Sequence, residues 1–379
     1  MTADPCHLAI FLPSLRGGGA ERVMLHVARG FAERGARVDM VLGRAGGPFC
    51  REVPAGVNLV DLGAPRALAC LPALVRYLRT QRPQTLLSAL NNANCLAVLA
   101  RRCARTPVRL VISVHNALSH AATNSPRLRG RLMPALARHL FPGAEKIITV
   151  SRGVADDLTR CCGIASEQMQ VIYNPVVTPE LFHLMRDPAP HPWFTAGIPP
   201  VVLGVGRLTA QKDFPTLIRA FSEVHRQMPC RLIIIGEGEE RGRLETLVRD
   251  LGLREAVDLP GFVENPYSWM ARASVFVLSS AWEGFGNVLV EALTAGAPVI
   301  ATDCESGPRE ILEDGKFGTL CPVGDAPALA AAMRQVLADP AAYTPAAFPW
   351  ERFALPRVLD AYAQVLFPEA IPLLRHTTP

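Results

Sequence analysis

Lysine is nearly missing: Lys146, Lys212 and Lys316 stand against 36 arginines. A lysine placed in a loop is therefore not this chain's default base. Charged residues reach only 19%, below the usual share of about 25%, while hydrophobic residues make up 49%. No apolar run approaches the ~20 residues that a spanning helix needs, which argues against an integral membrane protein. The ten cysteines include no C-x-x-C pair and no Cys/His cluster with metal-ligand spacing. The one adjacent pair, Cys161-Cys162, is a poor candidate for a bridge, so buried free thiols are expected. The first residues carry no basic leader, and Leu8–Leu12 has the length of a first buried strand. A cytoplasmic protein is expected.

What is present has a two-part organisation. At about 150 residues per domain, 379 residues suggest two or three domains. The net charge of +5 divides into +11 over residues 1–180 and −6 over the remainder. Short apolar runs predict strands at Leu8–Leu12, Val38–Leu42, Val57–Leu62, Thr85–Ala89, Val108–Ser113, Lys146–Val150 and Gln170–Ile172. The pattern restarts with Val201–Val205, Arg231–Ile235, Val257–Leu259, Val275–Leu278 and Pro298–Thr302. Between them lie amphipathic helical segments, one placing Val23, Val27 and Phe31 on one face, another Phe214, Leu217, Ile218 and Phe221. Strands alternating with such helices predict doubly wound parallel sheets. Six prolines within 176–200 predict an interdomain linker over 179–199, between domains at 1–178 and 200–345. The last helical pattern, 350–367, can pack back on either domain and is assigned to the first. Two such domains facing each other would form a cleft at the carboxyl ends of their strands, where ligands of open α/β sheets bind.

Several loops at those ends carry chemistry. Gly17-Gly18-Gly19 follows the first strand and opens a helix, which suits close approach of an anion or simply a tight turn. After Val201–Val205 comes Gly206-Arg207-Leu208-Thr209-Ala210-Gln211-Lys212-Asp213, two cations suited to a diphosphate. The most informative run is Glu283-Gly-Phe-Gly-Asn-Val-Leu-Val-Glu291. It predicts a helix from about Asn287, ending with Gly296 in the C′ position ahead of Pro298. Glu283 then precedes a helix N-terminus, and Glu291 lies in the second turn beside the apolar Val290, Ala292 and Leu293, where a carboxylate is rarely left unpaired. The amides between them can receive a phosphate. Residues 101–150 hold nine basic residues and one acid, Glu145. With Leu128, Leu132, Met133, Leu136, Leu140 and Phe141 interleaved, this stretch reads as a surface for an anionic membrane or phosphorylated acceptor, or as a solvated basic face.

The E-x7-E spacing, the Gly-Arg-Leu…Lys loop, Gly261-Phe262, Ser279-Ser280 and Gly296-Ala297-Pro298 together resemble the retaining glycosyltransferases of the GT-B fold, family four. Ser113-Val114-His115-Asn116, Val150-Ser151 and Val171-Ile172-Tyr173-Asn174-Pro175-Val176 are similar to the same family's N-domain landmarks. Thr302-Asp303-Cys304-Glu305-Ser306-Gly307-Pro308-Arg309-Glu310 resembles its bacterial lipopolysaccharide-core and capsule members. The resemblance spans roughly residues 8–340 and is most specific in the second half. It implies that Arg207 and Lys212 hold the donor diphosphate and Glu291 the ribose. Glu283 would meet sugar hydroxyls, surrounded by the backbone of Phe285, Gly286, Asn287, Val288 and Leu289. Phe262 and Val263 would meet the base, and Gly18 and Gly19 would close on the diphosphate. His115 would lie near the sugar. The implied donor is a nucleotide sugar, with UDP favoured, and the acceptor a glycan or lipid-linked molecule. Peripheral contact with an anionic inner membrane through the basic first domain is expected, and no nucleic-acid partner. No Asp-x-Asp motif occurs, so neither cofactor nor metal is expected, the cations replacing a metal in charge stabilisation. The competing readings are a GT-B epimerase or phosphorylase, a non-catalytic GT-B binding subunit, and a dinucleotide dehydrogenase with Asp39 as its ribose-binding acid. The last lacks the third glycine of G-x-G-x-x-G.

Overall fold

The computed structural model describes residues 6–64, 69–124, 128–195, 197–344 and 347–369. Its contacts divide the chain into a first unit, Met1–Pro175 with Arg352–Pro379, and a second, Val176–Glu351. The first contains a seven-stranded sheet: β1 (His7–Leu12), β2 (Arg37–Leu42), β3 (Val57–Asp61), β4 (Thr85–Ala89), β5 (Arg109–Val114), β6 (Lys146–Thr149) and β7 (Met169–Val171). The order is β3-β2-β1-β4-β5-β6-β7 and every pairing is parallel. The second contains β8 (Val201–Val205), β9 (Arg231–Ile235), β10 (Val257–Gly261), β11 (Val275–Leu278), β12 (Val299–Thr302) and β13 (Thr319–Cys321). These run β10-β9-β8-β11-β12-β13, again all parallel. Both are doubly wound sheets, each with a point where the strand order reverses: β1/β4 in the first, β8/β11 in the second.

The central strands are apolar without alternation because helices cover both faces of a parallel sheet. β1, β4, β8 and β11 are buried along their whole length. The expected strands therefore appear within a residue or two. The exception is β13, which the sequence did not show, since three residues are too short to display a period.

The C-terminal helix, Leu355–Leu366, packs into the first unit's core through Val358, Leu359 and Tyr362. Arg109 Nε and Thr85 Oγ1 donate to the carbonyls of Val365 and Leu366 at 2.9 and 2.7 Å. Contact is close because Gly30 has no side chain: a Cβ there would lie 2.1 Å from Leu359.

The stretch 179–199, expected to be a linker, belongs to the second unit. Its prolines start local structure instead of preventing it, since proline suits a first helical turn. Pro179 opens the helix Pro179–Leu184, and Pro192 opens a single 3₁₀ turn. His191 pairs with Asp258 at 3.0 Å and lies against Trp193 and Trp269, while Asn265 Nδ2 donates to the Leu184 carbonyl at 2.9 Å.

Candidate active site

The reversal between β8 and β11 brings two loops together. Ala281 N donates to Gln211 O at 2.8 Å, Gln211 Nε2 to Trp282 O at 3.0 Å, and Ser279 Oγ to Lys212 O at 2.8 Å. These bonds lay the Gly206–Asp213 loop along residues 279–283. The stem of Lys212 crosses Gly206, where a Cβ would sit 2.9 Å from Lys212 Cε. Its ammonium then reaches Glu283 Oε1 at 2.5 Å, and Ser280 Oγ donates to the same oxygen at 2.7 Å. Glu283 is 6% exposed. Ser280 is held in turn, its carbonyl accepting from Thr302 Oγ1 at 2.6 Å. The expected diphosphate lysine and sugar carboxylate thus form an ion pair with each other. Arg207, on the same loop, is exposed and makes no ion pair among the described residues. One cation is compensated and one is available to an anion.

The next loop closes on this pair. Gly307, with φ +92°, lies on the backbone of Phe285; a Cβ there would come within 1.8 Å of the Phe285 carbonyl oxygen. Cys304, to which the sequence assigned no role, is 3% exposed in this loop. Burial, reinforced by the negative charge of Glu283 and opposed by Lys212, pushes its thiol up to about 12. It stays a neutral thiol beside the ion pair.

The helix Asn287–Thr294 begins and ends as its sequence indicates. Gly286 precedes it at φ +99°, and Gly296 follows at φ +82°. Gly296 N donates to Leu293 O at 3.0 Å and Ala297 N to Ala292 O at 3.1 Å, the two bonds of a Schellman ending. Phe285 and Leu289 bury their side chains, so what they can offer a ligand is backbone. Asn287, Val288 and Glu291 are half-buried.

On the other side of β8, the ends of β9 and β10 come close. Gly236 N donates to Gly261 O at 2.8 Å, and Gly206 N to Ile235 O at 2.9 Å. A Cβ on Gly236 would lie 1.9 Å from Gly206 O. Phe262, 74% exposed, and the half-buried Val263 follow β10 at the same carboxyl edge.

In the first unit the glycine loop differs from expectation. The Glu21 carboxylate, 7% exposed, accepts from Gly17 N at 2.7 Å and Gly18 N at 2.6 Å. The chain's own third helical residue supplies the anion, as in a capping box, so the Gly18 amide is not free. Gly19 is the first residue of the helix Gly19–Glu33.

His115 follows β5, is 9% exposed, and has Ser113 Oγ 3.0 Å from its Nε2. Burial pushes its pKa from 6.5 down to about 4, so it is neutral at physiological pH. The unfolded chain binds this proton more readily, so stability is expected to fall as pH drops from 6.5 toward 4, by up to about 3 kcal/mol. Urea midpoints across that range should show a shallower decline for His115→Asn than for the wild type.

Asp39, the acid a dinucleotide reading requires, lies inside β2 with 0% exposure. It accepts from Tyr77 Oη at 2.5 Å and Asn58 Nδ2 at 3.2 Å and meets His7 Nε2 at 2.9 Å. A carboxylate consumed in this way is not available to a ribose.

Residues 17–179 match Glycosyltransferase Family 4 and residues 191–347 match Glycosyl transferases group 1. The chain is 30% identical over 345 residues to the N-acetylgalactosamine-N,N'-diacetylbacillosaminyl-diphospho-undecaprenol 4-alpha-N-acetylgalactosaminyltransferase of Campylobacter jejuni, covering 88% of this chain and 90% of that one. It is 28% identical to the lipopolysaccharide core biosynthesis glycosyltransferase LpsE of Rhizobium meliloti, over 93% of this chain and 96% of that one. Among solved structures, Anabaena HepE in complex with UDP and glucose superposes with a TM-score of 0.77 at 23% identity, over 95% of this chain and 99% of that one. WaaG, a glycosyltransferase involved in lipopolysaccharide biosynthesis, does so with a TM-score of 0.72 at 18% identity, over 95% and 99%. The chain belongs to glycosyltransferase family four and has the GT-B fold, two Rossmann-like domains in one polypeptide.

Proposed function

We propose that this glycosyltransferase moves a hexose or N-acetylhexosamine from a UDP-sugar to a glycan or lipid-linked acceptor during assembly of a bacterial cell-surface polysaccharide. The observation that carries the donor side is the Lys212–Glu283 pair at the β8/β11 reversal, with Arg207 uncompensated beside it. The relatives support the acceptor class: the Campylobacter enzyme is named for a diphospho-undecaprenol acceptor and the Rhizobium one for the lipopolysaccharide core.

In this reading Arg207 and Lys212 take the diphosphate and stabilise it as it leaves, which is the main catalytic contribution. Glu283 turns to sugar hydroxyls and Glu291 to the ribose. The backbone of Phe285, Gly286, Asn287, Val288 and Leu289 surrounds the phosphates, and Phe262 and Val263 receive the base. Gly19 and Gly18 would approach the diphosphate only once Glu21 yields the Gly18 amide. His115, neutral, would donate or accept a hydrogen bond near the sugar. In this reading the two cations take the part of a metal, and transfer proceeds with retained configuration, as the family resemblance implies. The protein works in the cytoplasm, in peripheral contact with the inner membrane; among the described residues no helix is long and apolar enough to cross one.

Incubation of the purified protein with a panel of nucleotide sugars, with chelator present, tests this. Slow release of UDP from one UDP-sugar, and calorimetric binding of UDP but not NAD, are expected. Sugar isomerisation without UDP release would indicate an epimerase, and binding without turnover a non-catalytic subunit.

A further inference from the structure

We propose that Ser113 and Tyr362 fix the tautomer of His115, so that its imidazole carries the proton on Nδ1 and meets a sugar oxygen as a donor. The inference rests on the place given to His115 above and decides which way its hydrogen bond runs.

Ser113 is the penultimate residue of β5, and His115 is the first residue beyond that strand. Both are buried, Ser113 completely. Asn94 Nδ2 donates to the Ser113 carbonyl at 2.9 Å, which ties the strand end to the helix Asn91–Ala104. Ser113 Oγ lies 3.0 Å from His115 Nε2, so one ring nitrogen is occupied within the protein. Nδ1 has no partner among the described residues and is left for a ligand.

The distance alone does not say which group gives the proton. A serine hydroxyl can donate to a bare nitrogen or accept from an N–H. The C-terminal helix decides it. Side chains alternate across a strand. Val111, two residues before Ser113, packs in one cluster with Leu359 and Tyr362, as do Leu87, Ala89 and Ile148 of the adjoining strands. Ser113 is therefore a hydroxyl set in an apolar face beneath that helix. Thr85, another hydroxyl of the same face, already gives its proton to the Leu366 carbonyl. Tyr362 is fully buried. Its Oη meets Ser113 short of good hydrogen-bond geometry and has no other partner among the described residues.

Burial pushes the ionisation of this phenol well above its usual range, so Tyr362 keeps its proton. A buried O–H is seldom left without an acceptor, and a phenol is a stronger acid, hence a better donor, than a serine hydroxyl. Tyr362 thus donates to Ser113 Oγ, and Ser113 donates to Nε2. The neutral ring then holds its own proton on Nδ1. In that state His115 can donate to an oxygen, and Nδ1 cannot draw a proton from an acceptor hydroxyl. Ser113 and Tyr362 are positioning residues, acting through the histidine.

NMR of the full chain labelled with 15N-histidine tests the assignment, the His115 signals being those missing from His115→Asn. The wild type should show a protonated Nδ1 and a bare Nε2. Tyr362→Phe and Ser113→Ala should each raise the fraction protonated on Nε2, which mere loosening of the core would not do. Release of UDP from the UDP-sugar should slow about tenfold in each, with KM changed less than about twofold, as for the loss of one hydrogen bond. A wild-type ring protonated on Nε2, or a tautomer unchanged in both variants, would overturn the proposal. Normal turnover by His115→Asn, with the tautomers as expected, would instead count against the place of His115 near the sugar.

Discussion

Glu283→Gln is expected to abolish transfer while tightening the hold on the nucleoside diphosphate alone. In the unliganded chain Glu283 Oε1 takes both the Lys212 ammonium at 2.5 Å and the Ser280 hydroxyl at 2.7 Å. The lysine side chain is 15% exposed and the glutamate 7%, so the pair is largely shielded from water. An amide at position 283 deprives that ammonium of its counter-charge. A diphosphate restores it, and no longer has to displace a competing carboxylate. Calorimetric affinity for UDP should rise by up to about tenfold, or about 1.4 kcal/mol. Turnover should fall by about 10²–10³, the usual effect of removing one preorganised polar contact. The variant should melt below the wild type without ligand, because breaking a shielded pair leaves a charge uncompensated, and the gap should narrow in saturating UDP. Normal turnover, or weaker UDP binding with an unchanged melting point, would remove Glu283 from the role given to it.

Lys212→Ala is expected to act in the opposite direction on binding and in the same direction on transfer. It removes the cation and leaves Glu283, 6% exposed, with a serine hydroxyl and no positive partner. Affinity for UDP should drop at least about tenfold and turnover by about 10²–10³. Lys212→Arg sharpens the test. The lysine stem lies against Gly206, with Cγ, Cδ and Cε all within 3.2 Å of where a Cβ would stand. A planar guanidinium is broader than an ammonium and seeks paired acceptors, so arginine should recover UDP binding in part and transfer hardly at all. In a chain with 36 arginines and three lysines, full rescue by arginine would undercut the special status of this position.

Much of the second unit's local structure was legible because its signals are local. The Glu283–Glu291 spacing, the glycine before Asn287 and the Gly296-Ala297-Pro298 stop all lie within one turn-helix-turn, where backbone conformation depends on near neighbours. The strands were legible for a related reason, since apolar runs covered on both faces have few alternative positions. β13, with three residues, falls below the length at which that pattern can be read. The prolines of 179–199 misled because proline both interrupts regular structure and opens it. Which of the two prevails depended on partners such as Asp258 and Asn265, more than 60 residues further along the chain.

The sequence by itself determined that this chain forms two parallel α/β domains, that cations and carboxylates gather in the loops of the second, and which residues those are. The tertiary structure decided how they are paired. It placed Lys212 on Glu283 across 71 positions of sequence, brought the neutral thiol of Cys304 beside them, and set Glu21 on the Gly18 amide that had been expected to wait for a ligand. Helix and strand preferences are short-range and accumulate along the chain, so they can be read from it. An ion pair at the reversal of a sheet forms only where two crossovers return to adjacent strands, and its strength depends on burial that no single segment carries.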